Sequence, residues 1–201
     1  MFSFFKNIFN FIIGVFLVII LVVVLGRVFF HFEPSDILNF DKEKVEEQVG
    51  DFSKVDTEFN IDKAVNVGGY KTVVAKHASS GQKMIIVDSG KKTLLTTNDI
   101  TNDRVKEKLE ELCKKFKYHS TTVDNIEITD RGYLTTYGKR VPYVKFNAKI
   151  SNFPGYNISG IISADNSDKD NQRLIISVND KKHYSQLITS EFYKNVKESS
   201  K

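Results

Sequence analysis

The hydrophobic residues of this chain form one nearly continuous run at the start and short periodic stretches afterwards. Residues 7–26 carry no charge, and 24 of the first 33 residues are hydrophobic. Because a helix rises about 1.5 Å per residue, about 20 apolar residues match a hydrocarbon core of ~30 Å. The run predicts a short N-terminal tail at residues 1–6 and a transmembrane signal-anchor helix at residues 7–30, which would have the lipid bilayer as its partner.

A cleaved signal peptide is the first alternative to a permanent anchor. Such peptides have a shorter apolar stretch and small residues at the cleavage site, whereas here Arg27, Val28 and Phe29 follow the run. The sequence therefore favours a single-pass protein of the cell membrane. Basic residues near the two ends of the run, Lys6 and Arg27, are nearly balanced. The short basic N-terminus favours an extracytoplasmic C-terminal domain, and a cytoplasm-facing domain is the alternative.

Residues 31–66 are interpreted as a juxtamembrane tether. Within it, Val45, Val49 and Phe52 recur at helical spacing and predict a short helix over residues 41–52. A globular domain is predicted at residues 67–198, where the hydrophobic pattern becomes more regular.

Alternation of apolar and polar residues predicts six strands in this domain, and helical spacing predicts two helices. The strands are expected at residues 72–77, 83–88, 123–129, 143–150, 156–164 and 174–179, and the helices at 103–116 and 184–196. The order β-β-α-β-β-β-β-α has no β-α-β rhythm, so the expected fold class is α+β, an antiparallel sheet with helices packed on it.

Charge and cysteine content exclude several classes of function. Residues 34–201 hold 27 basic and 24 acidic residues, a net charge of +3. This mild charge is spread along the chain and argues against nucleic acid as a partner. A single cysteine argues against a disulfide framework and a disulfide-linked partner.

A search for reactive residues finds no catalytic constellation, cofactor motif or metal-ligand spacing. His77 lies in a predicted strand and is interpreted as a structural histidine, and residues 79–81 as the turn of a hairpin. The loop from Asp165 to Asp170 is acidic but lacks the glycine and terminal glutamate of a calcium-binding EF-hand. It is interpreted as a solvated loop, with weak calcium binding as the alternative.

One strand face and one asparagine are the candidate interaction sites. Tyr143, Lys145 and Lys149 share the polar face of the predicted strand at 143–150. They form a solvated face, or a partner surface if no helix covers them. Asn157 begins an Asn-Ile-Ser sequon and is the candidate glycosylation site.

Three apolar strings accompany this element order: Tyr-Lys-Thr-Val-Val-Ala-Lys-His at 70–77, Gln-Lys-Met-Ile-Ile-Val at 82–87, and Leu-Ile-Ile-Ser-Val at 174–178. Together they resemble the PsbP-type α/β/α sandwich family. That family includes a photosystem subunit of the thylakoid lumen, bacterial envelope lipoproteins and a nuclear GTPase-release factor. The resemblance covers residues 68–197 and implies a non-catalytic binding or assembly role, often in an extracytoplasmic space.

The function expected from these observations is that of a membrane-anchored, non-catalytic extracytoplasmic module that binds or assembles with a protein partner. Two alternatives remain at this point. One is a membrane-tethered hydrolase whose polar residues converge only in the folded chain. The other is a cytoplasm-facing domain that binds a soluble regulator.

Overall fold

The computed structural model describes residues 42–67, 69–102, 104–114, 123–150 and 157–199. These residues form a seven-stranded sheet in the order β1-β2-β3-β7-β6-β5-β4, in which all neighbouring strands are antiparallel. The strands are β1 (Phe59–Val67), β2 (Tyr70–His77), β3 (Lys83–Asp88), β4 (Val123–Thr136), β5 (Lys139–Ile150), β6 (Asn157–Asp165) and β7 (Arg173–Asp180). The helices are α1 (Lys42–Val49), α2 (Thr97–Thr101), α3 (Arg104–Lys114) and α4 (Gln186–Asn195).

The central strands are buried on both sides because short helices cover both faces of the sheet. Every residue of β3 is buried, and so is nearly every residue of β6 and β7. On one face, Ile100 of α2 and Val105 of α3 pack into the core. On the other face, Val49 of α1 and Phe192 of α4 do the same. Removal of this apolar surface from water is the main force that holds the layers together.

Helix α4 is attached to the sheet by buried hydrogen bonds as well as by apolar contacts. The Gln82 side chain is fully buried; its Nε2 donates to the Ser185 carbonyl, and its Oε1 accepts from the Ser185 N–H. The hydroxyl of Tyr193 accepts from the Ile85 N–H at 3.0 Å and donates to the Ile176 carbonyl. These bonds satisfy polar groups that burial would otherwise leave unpaired, and they fix the position of α4.

The fold class predicted from the sequence is wrong. The structure has seven strands rather than six, a helix precedes the first strand, and strands hold about twice as many described residues as helices. The missed strand, β1, lies in the segment predicted to be a tether. A β-bulge between Ile61 and Lys63 places Ala64 in the same core cluster as Phe59 and Ile61. Since the bulge breaks the period of two, alternation alone does not reveal this strand.

The predicted transmembrane helix, residues 7–30, and the tail before it lie outside the described residues. Among the residues that the structure does describe, no helix is long and apolar enough to cross a membrane. The prediction is corrected to what the described residues show, which is a seven-stranded antiparallel sheet with short helices.

Candidate binding site

A polar cleft of about 520 Å³ opens at the end of the sheet where β3 ends and β7 begins. It lies between the start of α2, the turn that joins β4 to β5, and the loop that joins β6 to β7. Its walls carry hydroxyl and amide side chains and two cationic residues. The lining residues are Thr93, Thr96, Thr97, Asn98, Lys139, Arg140, Val141, Pro142, Asp165, Asn166, Ser167 and Gln172. The volume is in the range of small-molecule sites.

Asn166 holds one wall of the cleft in a fixed conformation. Its Oδ1 accepts from the backbone N–H of Thr97 at 2.6 Å, and its Nδ2 donates to Leu95 O and to Gln172 Oε1. Gln172 in turn donates to the carbonyl of Asp168 at 2.7 Å. The loop that leads into α2 and the loop between β6 and β7 are thereby joined through two amide side chains, so this wall is organised before any ligand arrives. Such preorganisation lowers the entropy cost of binding.

Two cations stand on the opposite wall. The Arg140 guanidinium lies 4.4 Å from the ring centroid of Tyr133, whose side chain is 59% exposed. Among the described residues, Arg140 has no carboxylate partner. The Lys139 Nζ donates to the Ser167 hydroxyl at 3.0 Å and lies 3.5 Å from a carboxylate oxygen of Glu198. Arg140 in particular keeps its hydrogen-bond donors available for an anionic group.

A buried charged cluster lies directly behind the cleft and is centred on Arg173. In the sheet, Arg173 stands opposite Asp88 on one side and opposite Asp165 on the other, so the three side chains share one face. The guanidinium also stacks 3.8 Å from the ring centroid of Tyr137 and makes two parallel hydrogen bonds to Glu198, at 2.9 and 2.7 Å.

Water screens the charges of this cluster only weakly, because the Arg173 side chain is only 4% exposed. Burial by itself would lower the pKa of Arg173, but the hydrogen bonds to Glu198 and the neighbouring charges raise it above its usual value. The same hydrogen bonds lower the pKa of Glu198 against the opposing effect of desolvation. Both members of the pair are therefore charged near neutral pH.

Three buried polar atoms in this region have no hydrogen-bond partner among the described residues: Oδ2 of Asp88, Oγ1 of Thr136 and Nε of Arg173. The other oxygen of the Asp88 carboxylate accepts from the Gly90 N–H at 2.8 Å. Unpaired buried groups cost free energy, so the cluster is held in place by the rest of the fold rather than by its own bonds alone.

The partner surface predicted on β5 is not one open patch, because other parts of the chain cover some of its residues. Tyr143 is 6% exposed, and its hydroxyl accepts from Nε2 of Gln186 at the start of α4. The Lys145 ammonium lies 5.6 Å from the Tyr184 ring centroid, and of the three residues only Lys149 is exposed. The three residues do not form one open surface. Asn157, the candidate glycosylation site, is half-buried at the first position of β6.

The acidic loop between β6 and β7 does not gather its carboxylates. Asp165 is buried and accepts from the N–H and hydroxyl of Ser167, Asp168 accepts from Asn171, and Asp170 pairs with Lys91 at 3.3 Å. Within the described ranges, no group of three or more histidine, cysteine or acidic residues could hold a metal ion. The structure thus gives no arrangement on which calcium binding by this loop could be argued.

A second polar constellation lies at the hairpin between β2 and β3. The Nδ1 of His77 is 2.9 Å from the Ser80 hydroxyl oxygen, and its Nε2 is 3.0 Å from a carboxylate oxygen of Glu58. These three residue types in this order match a nucleophile, a base and an orienting acid. The sequence alone does not reveal the arrangement, because Glu58 comes from the loop before the unrecognised strand β1.

The turn provides no oxyanion hole for such chemistry. The N–H of Gly81 donates to the His77 carbonyl at 2.9 Å, and the N–H of Gln82 donates to the Ser80 hydroxyl oxygen at 3.2 Å. The N–H of Ser80 points at Nδ1 of His77, 3.3 Å away. Since the amides around Ser80 are used inside the turn, they cannot stabilise a developing oxyanion.

The charged cluster is also absent from the predictions made above, although the sequence carries a signal for it. Asp88 and Asp165 each end an apolar strand, and Arg173 begins one. In antiparallel strands, the end of one strand lies beside the start of the next. Opposite charges at these positions therefore predict a cross-strand cluster, but only once the order β3-β7-β6 is known.

Comparison with known proteins finds no family model that matches the chain and no curated protein with significant similarity to it. These comparisons do not test the resemblance to PsbP-type proteins, which stays a prediction from the sequence.

Proposed function

We propose that this protein is a non-catalytic binding module that holds a small molecule with a carboxylate or phosphate group in the polar cleft. The observation that carries the proposal is Arg140, a guanidinium without a carboxylate partner among the described residues, on the wall of a cleft whose facing wall is already organised. Guanidinium groups bind carboxylates and phosphates through paired hydrogen bonds.

The chemistry of the lining supports binding rather than catalysis. The cleft lining includes neither histidine nor cysteine, and its one carboxylate, Asp165, accepts hydrogen bonds from Ser167. A general acid or base requires a titratable group that can reach the substrate. The described lining offers hydroxyls, amides and two cations instead, which orient an anionic ligand but do not exchange protons with it near neutral pH.

The proposal predicts that inorganic phosphate and citrate perturb the backbone amide resonances of residues 93–98, 139–141 and 166–167 in an NMR titration of the full chain. Arg140→Gln is expected to weaken binding about tenfold, because one charge-assisted hydrogen-bonded contact is lost. The matched control is Lys182→Gln, which removes an exposed cation at the opposite end of the sheet. Equal affinities in the two variants, or shifts located elsewhere, would contradict the proposal.

The second candidate function is hydrolysis by Ser80, favoured only by the contacts among Glu58, His77 and Ser80. Because the turn lacks oxyanion donors, we expect no reaction of the full chain with a fluorophosphonate probe, followed by mass spectrometry. Labelling of Ser80 that persists in Ser79→Ala and disappears in Ser80→Ala would instead establish a serine hydrolase. Ser79 is the matched control because its hydroxyl also approaches His77, at 3.4 Å.

A further inference from the structure

The segment after α4, residues 196–199, is docked along the edge of the charged cluster. The N–H of Tyr137 donates to the Val196 carbonyl at 3.1 Å. Lys197 and Asp51 exchange two backbone hydrogen bonds, at 2.9 and 3.0 Å, and the Ser199 hydroxyl donates to the Glu47 carbonyl. These contacts join the segment to α1 and to the turn between β4 and β5.

This docking delivers one carboxylate to two cations. Glu198 accepts the paired hydrogen bonds from Arg173, and one of its oxygens lies 3.5 Å from the Lys139 ammonium. The Glu198 side chain is 45% exposed, whereas that of Arg173 is 4% exposed. The carboxylate is therefore held from the solvent side by cations that belong to the rigid sheet.

Lys139 connects this contact to the cleft. Its ammonium donates to Ser167, a residue of the cleft wall, while it also lies beside Glu198. A ligand anion in the cleft and the Glu198 carboxylate would thus be attracted to the same positive charge. Two anions near one cation repel each other, so the second anion to bind gains less free energy from that cation than the first.

We propose that Glu198 is a built-in competitor of the ligand, so that docking of residues 196–199 lowers the affinity of the cleft for carboxylate and phosphate groups. This inference rests on the proposed function of the cleft. Because coupling between two binding events is reciprocal, a bound anion also weakens the contact between Glu198 and its cations. Docking of residues 196–199 and binding of a ligand in the cleft then oppose each other.

The test compares Glu198→Gln with Glu191→Gln in the full chain, with inorganic phosphate as the probe and amide shifts as the readout. Glu191 is an exposed carboxylate on α4 without an ion-pair partner among the described residues, so it controls for the change in net charge. We expect Glu198→Gln to bind phosphate about fivefold more tightly than Glu191→Gln, the size of one partly exposed ion pair.

A second variant keeps the test valid if Glu198→Gln folds poorly. Glu198→Asp keeps the charge but shortens the side chain, so the carboxylate cannot keep both contacts, and a smaller gain in affinity is expected. In the wild type, phosphate is also expected to shift the amide resonances of residues 197–199, although these residues do not line the cleft.

The outcomes separate the two proposals. If phosphate binds and Arg140→Gln weakens it, while Glu198→Gln and Glu191→Gln bind equally, then the competition is wrong and the cleft proposal stands. If neither the wild type nor Glu198→Gln shows shifts at the cleft, the cleft proposal fails and the competition fails with it. If Glu198→Gln binds phosphate more tightly and Glu191→Gln does not, the result supports both proposals.

Discussion

Replacement of Arg173 by leucine is expected to lower the free energy of unfolding by about 4 kcal/mol, because removal of one member of a buried charge cluster leaves the others uncompensated. Asp88 and Asp165 would stay buried on either side of an apolar side chain. Glu198 would lose its paired hydrogen bonds, and Tyr137 would lose a stacked cation. Urea unfolding of the full chain at pH 7, followed by circular dichroism, measures this change.

Arg140→Leu is the matched control for this substitution. Both arginines stack on a tyrosine ring, at 3.8 Å for Arg173 and 4.4 Å for Arg140, but Arg140 is exposed. A change of less than about 1 kcal/mol is expected for the exposed residue, since water replaces the lost contacts. Similar losses in the two variants would show that burial of the charged cluster does not determine its contribution.

The loss of unfolding free energy caused by Arg173→Leu should also depend on pH. Arg173 lowers the pKa of Glu198 from its ordinary value of 4.5 in the folded protein. A carboxyl with a lowered folded pKa contributes stability that is fully present above its unfolded pKa and is lost as the pH falls through the folded value. The difference in free energy of unfolding between wild type and Arg173→Leu should therefore shrink as the pH falls below 4.5. A constant difference down to pH 3 would contradict the assignment.

Gly160→Ala is expected to lower the free energy of unfolding by about 3 kcal/mol, even though alanine is normally better than glycine in a strand. A Cβ at this position would lie 2.3 Å from the Ser177 carbonyl oxygen and 3.0 Å from the Phe146 ring. The first obstacle is the backbone of β7, which cannot move without breaking its hydrogen bonds to two neighbouring strands. The clash therefore exceeds the gain in backbone entropy, and thermal or urea unfolding measures the net effect.

Gly132→Ala is the comparison that isolates the reason. Its Cβ would lie 2.6 Å from the Tyr143 hydroxyl, which is the far end of a side chain rather than backbone. Two ring carbons of Tyr143 would also lie 2.8 and 3.0 Å away, and the ring is buried and hydrogen-bonded to Gln186, so it can yield only in part. A loss of about 2 kcal/mol, smaller than that of Gly160→Ala, is expected. If Gly132→Ala proved as damaging as Gly160→Ala, the distinction between backbone and side-chain obstacles would be wrong.

Much of the local structure could be predicted from the sequence, but the phase of α4 shows a limit. Helical spacing predicts a helix over residues 184–196, and the structure places α4 at Gln186–Asn195. Helical spacing places Tyr184, Leu187, Ile188, Phe192 and Val196 on one apolar stripe. In the structure Leu187 is 83% exposed, whereas Tyr193, which lies outside that stripe, is fully buried. Tyr193 belongs to the core because its hydroxyl reaches the β3 and β7 backbones. A spacing rule does not contain that contact.

The cover on β5 illustrates the same limit for a strand. Alternation places Val144 and Phe146 on one face and Tyr143 and Lys145 on the other, and the first pair lies in one core cluster. Whether the second face is solvated depends on the position of α4, which packs on it from more than 30 residues further along the chain. Alternation of apolar and polar residues along a strand shows which side chains share a face of the sheet. It does not show which face another element covers.

The sequence by itself determined where most strands and helices form, because those depend on hydrophobic periodicity and turn residues within a few positions. It also predicted an extracytoplasmic location, which stays a prediction. Only the tertiary structure decided the added strand β1, the polar cleft, and the cluster that joins Arg173 to Asp88, Asp165 and Glu198. These features bring together residues from distant parts of the chain, and their energies depend on burial and strand order, which no local pattern encodes.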